Sequence, residues 1–153
     1  RLKPPHGWHR QAAGGPARRF PLFDGGGAAV LGSIQPQPVP QSSDGTLPLD
    51  ALERAIKPLG DSHFARTRLL ALENTWNGRV LPPDYVVEAA ALARRHGLGF
   101  HLDGARLFNA AIARGVPPRE IARDFDSKVP STPGARSTIR MQVSAGQAVL
   151  RAG

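Results

Sequence analysis

Two short apolar runs with a helical repeat between them constrain this chain most. Arg68 to Glu73 contains Leu69, Leu70, Ala71 and Leu72 without a polar break, the pattern of a strand buried on both faces. Leu98 to Leu102 is a second run and ends at Asp103. Between them, Pro82-Pro83-Asp84 opens a segment in which Tyr85, Val86, Ala89, Ala90, Leu92 and Ala93 recur at helical spacing. Arg94, Arg95 and His96 fall in its last turn, where cations suit the helix dipole, and Gly97 follows as a C-terminal cap. Ala105 to Ala113 reads as the next helix. Pro117-Pro118 opens another short one, with Ile121 and Phe125 apolar. Strand, helix, strand, helix predicts an α/β domain with a parallel sheet. Ligands of such sheets bind beyond the carboxyl ends of the strands, and Asp103 occupies that kind of position.

The remaining chain is less regular. Asp24 to Gly32 reads as a glycine-rich entry to a short helix, and the prolines of Gln35 to Pro40 suit an extended segment. Asp44-Gly45 marks a turn. Asp50 is expected to cap a helix running to about Lys57, which Pro58 stops. Residues 1–19 have no apolar period and read as loop or disorder. Val129 to Arg136 contains two prolines and a glycine, which suit neither a helix nor a central strand.

The net charge of +8 invites a nucleic-acid reading, but its distribution opposes one. Residues 1–19 carry Arg1, Lys3, Arg10, Arg18 and Arg19 with no acid, and residues 128–153 carry Lys128, Arg136, Arg140 and Arg151 with none. Residues 20–127 hold 11 basic and 12 acidic residues, an ordinary globular balance. The flanks lack the dense basic block and interleaved aromatics of a nucleic-acid surface. The chain has no cysteine, which excludes disulfides and thiolate metal sites; no metal site is expected. No apolar run approaches the ~20 residues of a membrane span, and a cytoplasmic location is expected. The first residue is Arg1, compatible with a longer or processed parent.

The string His101-Leu102-Asp103-Gly104-Ala105-Arg106 carries the candidate chemistry. On the residues alone, Asp103 is either a helix N-cap or a carboxylate aimed into a ligand crevice. In the second case Arg106, almost one helical turn on, faces the same site. Such a carboxylate can keep a pyridine nitrogen protonated and make the ring an electron sink.

Several blocks together carry a family resemblance. Residues 22–40, Asp44 to Asp50, His63 to Leu70, Leu72 to Thr75, Asn77 to Pro82, His101 to Ala110 and Phe125-Asp126-Ser127 resemble, in order, the low-specificity L-threonine aldolases of the beta-eliminating lyase family. The resemblance covers about residues 20–127. It implies an α/β fold: an incomplete large domain of the aspartate-aminotransferase type, with a mostly parallel sheet and flanking helices. The complete family domain has a mixed seven-stranded sheet and an active site formed between subunits of a homo-oligomer. The implied cofactor is pyridoxal 5′-phosphate, bound to a lysine, and the implied reaction splits threonine or allo-threonine into glycine and acetaldehyde. Residue by residue, Asp103 matches the acid at the pyridine nitrogen, Arg106 the arginine near the phenolic oxygen, and His63 a histidine on the substrate side. Without the resemblance His63 reads as a surface histidine.

The chain departs from the family on either side. Ala17 to Pro21 lacks the histidine that covers the cofactor ring, and the glycine-rich phosphate segment before it is missing. Trp76 stands where relatives often have histidine or threonine. After Asp126-Ser127 the family continues through an apolar strand to Ser-Lys-Gly, whose lysine binds the cofactor. Here the chain reads Lys128-Val129-Pro130-Ser131-Thr132-Pro133-Gly134. Lys128 comes about seven residues early, roughly 20 Å along a strand, so the Schiff-base lysine is absent. The expected organisation is a divergent, disordered basic segment over 1–19, a partial large domain over 20–127 and a divergent basic tail over 128–153. A fragment, an altered reading frame or an alternative exon is the expected origin. The chain is expected to be inactive alone, with a non-catalytic scaffold or partner subunit as the alternative. A basic module acting through its tails is a third reading. An uncovered sheet edge is expected to promote association.

Overall fold

The computed structural model describes residues 10–14, 34–130, 139–144 and 147–152. Five strands form one parallel sheet: β1 (Arg10–Gly14), β2 (Ile34–Pro38), β3 (Arg66–Glu73), β4 (Gly99–Gly104) and β5 (Ser127–Pro130), in the order β2-β1-β3-β4-β5. Among the described residues the helices are α1 (Leu49–Ala55), α2 (Pro83–Arg95), α3 (Leu107–Arg114) and α4 (Pro118–Ile121). An antiparallel hairpin, β6 (Ile139–Ser144) and β7 (Gln147–Ala152), follows. No described helix is long and apolar enough to cross a membrane. The expected helix over Asp24 to Gly32 lies outside the described residues.

The strand-helix-strand-helix pattern is present in the expected order. Leu70 and Leu72 of β3 stand beside Phe100 and Leu102 of β4 in the ladder, and all four are buried. The helix α2 turns Val86, Ala89, Ala90 and Ala93 into the same core. Its alanines let helix and sheet approach closely, and Ala89 and Ala93 retain no exposed surface. Phe125 stacks on Phe100 with ring centroids 4.2 Å apart. The other face of β3 departs from expectation, since Leu69 and Ala71 are only partly buried.

Local chemistry sets the element ends. Gly97, at φ 62°, lets the Leu98 N–H reach Ala93 O at 2.8 Å while the Gly97 N–H reaches Arg94 O at 3.1 Å, a Schellman termination. Asn77 and Gly78, with φ 45° and 79°, turn the chain between Trp76 and Arg79, which exchange backbone bonds of 3.0 and 2.8 Å. Paired positive angles suit an Asn-Gly turn. Ahead of α1, the buried Leu47 donates its N–H to the Tyr85 hydroxyl at 2.9 Å, and that hydroxyl donates to Leu47 O at 3.0 Å. One side chain from the first turn of α2 thereby satisfies both backbone groups of a buried loop residue.

Some boundaries differ from the sequence reading. Asp50 does not cap α1: Pro48 holds the cap position without a side-chain bond, and Asp50 pairs with Arg54 at 2.7 Å. Pro48 already supplies an extended entry, which leaves Asp50 inside the first turn. The helix α3 begins at Leu107 rather than Ala105, because the Asp103 carboxylate accepts the Ala105 N–H at 3.2 Å and holds a turn there. Within 1–19, read as loop, Arg10–Gly14 forms β1 between β2 and β3. Its residues carry no apolar alternation, so the backbone ladder rather than side-chain pattern makes it a strand. Within 128–153, β5 is an edge of the described sheet and ends at Pro130, a position where a missing donor is tolerated. The hairpin falls in the segment read as a divergent tail, although Ile139, Met141 and Val143 alternate with Arg140, Gln142 and Ser144.

Gly97→Ala is expected to cost about 1–2 kcal/mol for placing a side chain in the left-handed region. The cost is purely conformational, since nothing lies within 4 Å of an added Cβ; urea unfolding measures it, and unchanged stability would contradict the termination described. Burial pushes the Tyr85 hydroxyl up to about 12 from 10.0. The folded-state value exceeds the unfolded one, so this contribution is full below pH 10 and is lost as pH rises toward 12. Tyr85→Phe is therefore expected to flatten the alkaline loss of stability over that interval. At neutral pH it is expected to cost about 1–3 kcal/mol, because the Leu47 groups lose their partner. Unfolding curves at several alkaline pH values test both.

Candidate functional site

Parallel pairing aligns Ala71 with His101 and Glu73 with Asp103, then His101 with Ser127 and Leu102 with Lys128. Side chains alternate faces along a strand, and aligned residues of neighbouring strands share a face. Glu73, His101, Asp103 and Ser127 therefore lie on one face, opposite the core face of Leu70, Leu72, Phe100 and Leu102. Glu73 and Asp103 stand together at the carboxyl ends of β3 and β4.

Arg106 sits in the turn between β4 and α3. Its Nη1 donates to Glu73 Oε1 at 3.0 Å and to Thr75 O at 3.2 Å. The pair is partly buried, with 34% of the Arg106 and 20% of the Glu73 side chain exposed, so water screens it less than a surface ion pair. Asp103 is half-buried and uses Oδ1 for the Ala105 N–H. Its backbone carbonyl accepts the Asn74 N–H at 3.1 Å, which ties the two strand ends together. Asn74, itself buried, accepts the Leu81 N–H on Oδ1 at 3.3 Å.

Below Asp103 on this face is His101, buried and with Nδ1 2.8 Å from Ser127 Oγ. Burial holds its imidazole below the ordinary histidine range, against the pull of the Asp103 charge. Asp126 fastens the next strand: its carboxylate accepts the Phe100 N–H at 2.8 Å, and its own N–H donates to Phe100 O at 2.9 Å.

Of the expected residues, Asp103 and Arg106 come together and His63 does not join them. His63 precedes β3, is exposed, and bonds Asp61 through Nδ1 at 3.0 Å. The eight residues of β3 lie between it and the site, which at ~3.3 Å each is more than ~20 Å. Lys57 is also at that far end, with Nζ 5.4 Å from the Phe64 ring centroid. Lys3 lies outside the described residues. Lys128, aligned with Leu102, belongs to the face opposite Asp103. Glu73 and the His101–Ser127 pair escaped the sequence reading, although the period-two spacing of His101 and Asp103 signals a shared face. A surface hollow of about 520 Å³ is lined by Phe108, Ile112 and Val116 among others and includes neither Asp103 nor Arg106.

The donor set fits a pyridoxal phosphate ring in part. Asp103 suits a protonated ring nitrogen and Arg106 an anionic oxygen, but no described amine shares their face.

Comparison with known proteins places the chain in a family. Residues 20–132 match the beta-eliminating lyase family. The chain is similar to the low specificity L-threonine aldolase of Escherichia coli K12, 58% identical over 106 residues that cover 69% of this chain and 32% of that protein. It is also similar to a probable low-specificity L-threonine aldolase 2 of Arabidopsis thaliana, 43% identical over 110 residues covering 69% and 31% of the two chains. Among solved structures, a threonine aldolase of Leishmania major superposes with a TM-score of 0.63 at 25% identity, covering 82% of this chain and 36% of that one. The chain thus spans about a third of the length of the curated relatives it matches. With the family match running unbroken through the strand ends that bear Glu73, Asp103 and Arg106, this chain belongs to the beta-eliminating lyase family.

Proposed function

We propose that this chain carries the ring-binding part of a pyridoxal-phosphate-dependent threonine aldolase site. The 153-residue chain by itself would act as a non-catalytic fragment or partner subunit rather than as a lyase. The parent activity is cleavage of threonine or allo-threonine to glycine and acetaldehyde, in a cytoplasmic homo-oligomer. The observation that carries this reading is the division of β4 and β5 into two faces. Asp103 ends one face beside Glu73 and Arg106, while Lys128 aligns with Leu102 on the other.

When bound, pyridoxal phosphate supplies the electron sink for carbon–carbon cleavage. The chain's own residues would hold it by charge. Asp103 is suited to keeping a proton on the ring nitrogen, and burial of His101 beneath it disfavours a competing imidazolium. Arg106, fixed by Glu73 and the Thr75 carbonyl, has further donors for an oxygen anion. Covalent attachment requires an amine on the same face. A lysine on the wrong face of a strand cannot reach it without a change of register. No catalytic step follows from these residues alone.

Two measurements test the reading. After incubation with pyridoxal phosphate and borohydride reduction, peptide mapping is expected to find no pyridoxyl adduct at Lys128, and threonine is expected to release no acetaldehyde. Either signal would overturn the assignment of a non-catalytic chain. Pyridoxine 5′-phosphate, which has no aldehyde, isolates ring pairing: Asp103→Asn is expected to weaken its binding at least about tenfold, the scale of a charge-assisted hydrogen bond. Equal binding by both forms would remove Asp103 from the site.

A further inference from the structure

Two carboxylates and one guanidinium meet at the ends of β3 and β4. Glu73 and Asp103 are aligned partners on adjacent strands, about 4.8 Å apart across the ladder. Arg106 lies three residues beyond Asp103 on a short turn, so either carboxylate is within reach of its side chain. The guanidinium goes to Glu73: a single nitrogen, Nη1, bonds both Glu73 Oε1 and the Thr75 carbonyl. The backbone carbonyl fixes the direction from which the guanidinium approaches, and Glu73 supplies the charge that keeps it there. Asp103 meanwhile spends one oxygen on the Ala105 N–H, and burial disfavours the charged form of His101 on the same face. The cluster of three therefore carries one net negative charge, borne by Asp103.

We propose that Glu73 is a positioning residue: it holds Arg106 off Asp103 and so leaves the Asp103 carboxylate open to a cationic ring nitrogen. The inference rests on the cofactor reading above and adds the residue that makes it electrostatically workable. With Glu73 neutral, the carboxylate aligned beside it in the ladder is Asp103. A guanidinium there would satisfy the carboxylate, and a protonated ring would meet no anion. In this partly buried setting the competition outweighs that of an exposed pair, because attraction grows as the effective dielectric falls. A role limited to anchoring β3 would give no such dependence on Arg106.

A double-mutant cycle on the full chain separates these cases, with pyridoxine 5′-phosphate as probe and its absorption spectrum reporting ring-nitrogen protonation. Glu73→Gln keeps the shape and removes the charge. It is expected to bind about tenfold more weakly than the parent chain, with the bound ring shifted toward its unprotonated form. In the Arg106→Gln background the Glu73→Gln change is expected to leave ring-nitrogen protonation unchanged, since the Arg106 guanidinium is no longer there to be held off Asp103. The protonated-ring spectrum should return in that double variant. Glu73→Gln binding as tightly as the parent chain, with an unchanged spectrum, would overturn the proposal and leave the cofactor reading intact. A further loss in the double variant relative to Arg106→Gln would also overturn it, by revealing an anchoring role. If Glu73→Gln alone fails to unfold cooperatively, the comparison in the Arg106→Gln background still decides. Failure of the parent chain to bind the probe would reject the cofactor reading and this proposal together.

Discussion

The parallel ladder between β3 and β4 is the constraint on which the rest depends. Five aligned pairs, from Leu69 with Gly99 to Glu73 with Asp103, set both faces of the domain at once. On one face they stack Leu70, Leu72, Phe100 and Leu102 for α2 to cover. On the other they bring Glu73 beside Asp103. A shift of one residue would send Asp103 toward the core face and Leu102 out of it, so hydrophobic burial and site geometry enforce the same register. The Gly97 termination belongs to this constraint, because it turns the chain from α2 into β4 within three residues, His96 to Leu98.

Charge in the site follows from position more than from residue type. Asp103, Asp126 and Glu73 are all carboxylates near the sheet, yet each has a different task. Asp126 is consumed by the Phe100 N–H and acts as a strand clasp. Glu73 is taken by Arg106. Asp103 gives one oxygen to its own turn and lies beside a histidine whose charged form burial disfavours. Backbone donors and the guanidinium, which each demand an acceptor, divide the carboxylates among these roles.

The same alternation that places His101, Asp103 and Ser127 on one face separates that face from Lys128. Ser127 and Lys128 are neighbours in sequence, yet Ser127 aligns with His101 and Lys128 with Leu102. Proximity along the chain therefore says nothing about which of them the site can use. Distance along the strand and sheet face both set Lys128 apart from Asp103. His63 shows the converse. Its block resembles the family closely, but within this chain it lies beyond the opposite end of β3 from Asp103.

The sequence by itself determined the strands at Arg68 to Glu73 and Leu98 to Leu102, the helix between them, the glycine stop at Gly97, and the placing of Asp103 at a strand end. These are local features: apolar period, terminal glycine and the order of elements are written within a few residues of where they act. Only the tertiary structure decided that Arg10–Gly14 pairs between β2 and β3, since backbone hydrogen bonds to distant strands make that strand and its side chains carry no pattern. It also decided that Arg106 turns to Glu73, that His101 is buried against Ser127, and that Lys128 faces away from Asp103. Each of those depends on the pairing register of residues about 25 or more apart, and register becomes definite only when the sheet closes over its core.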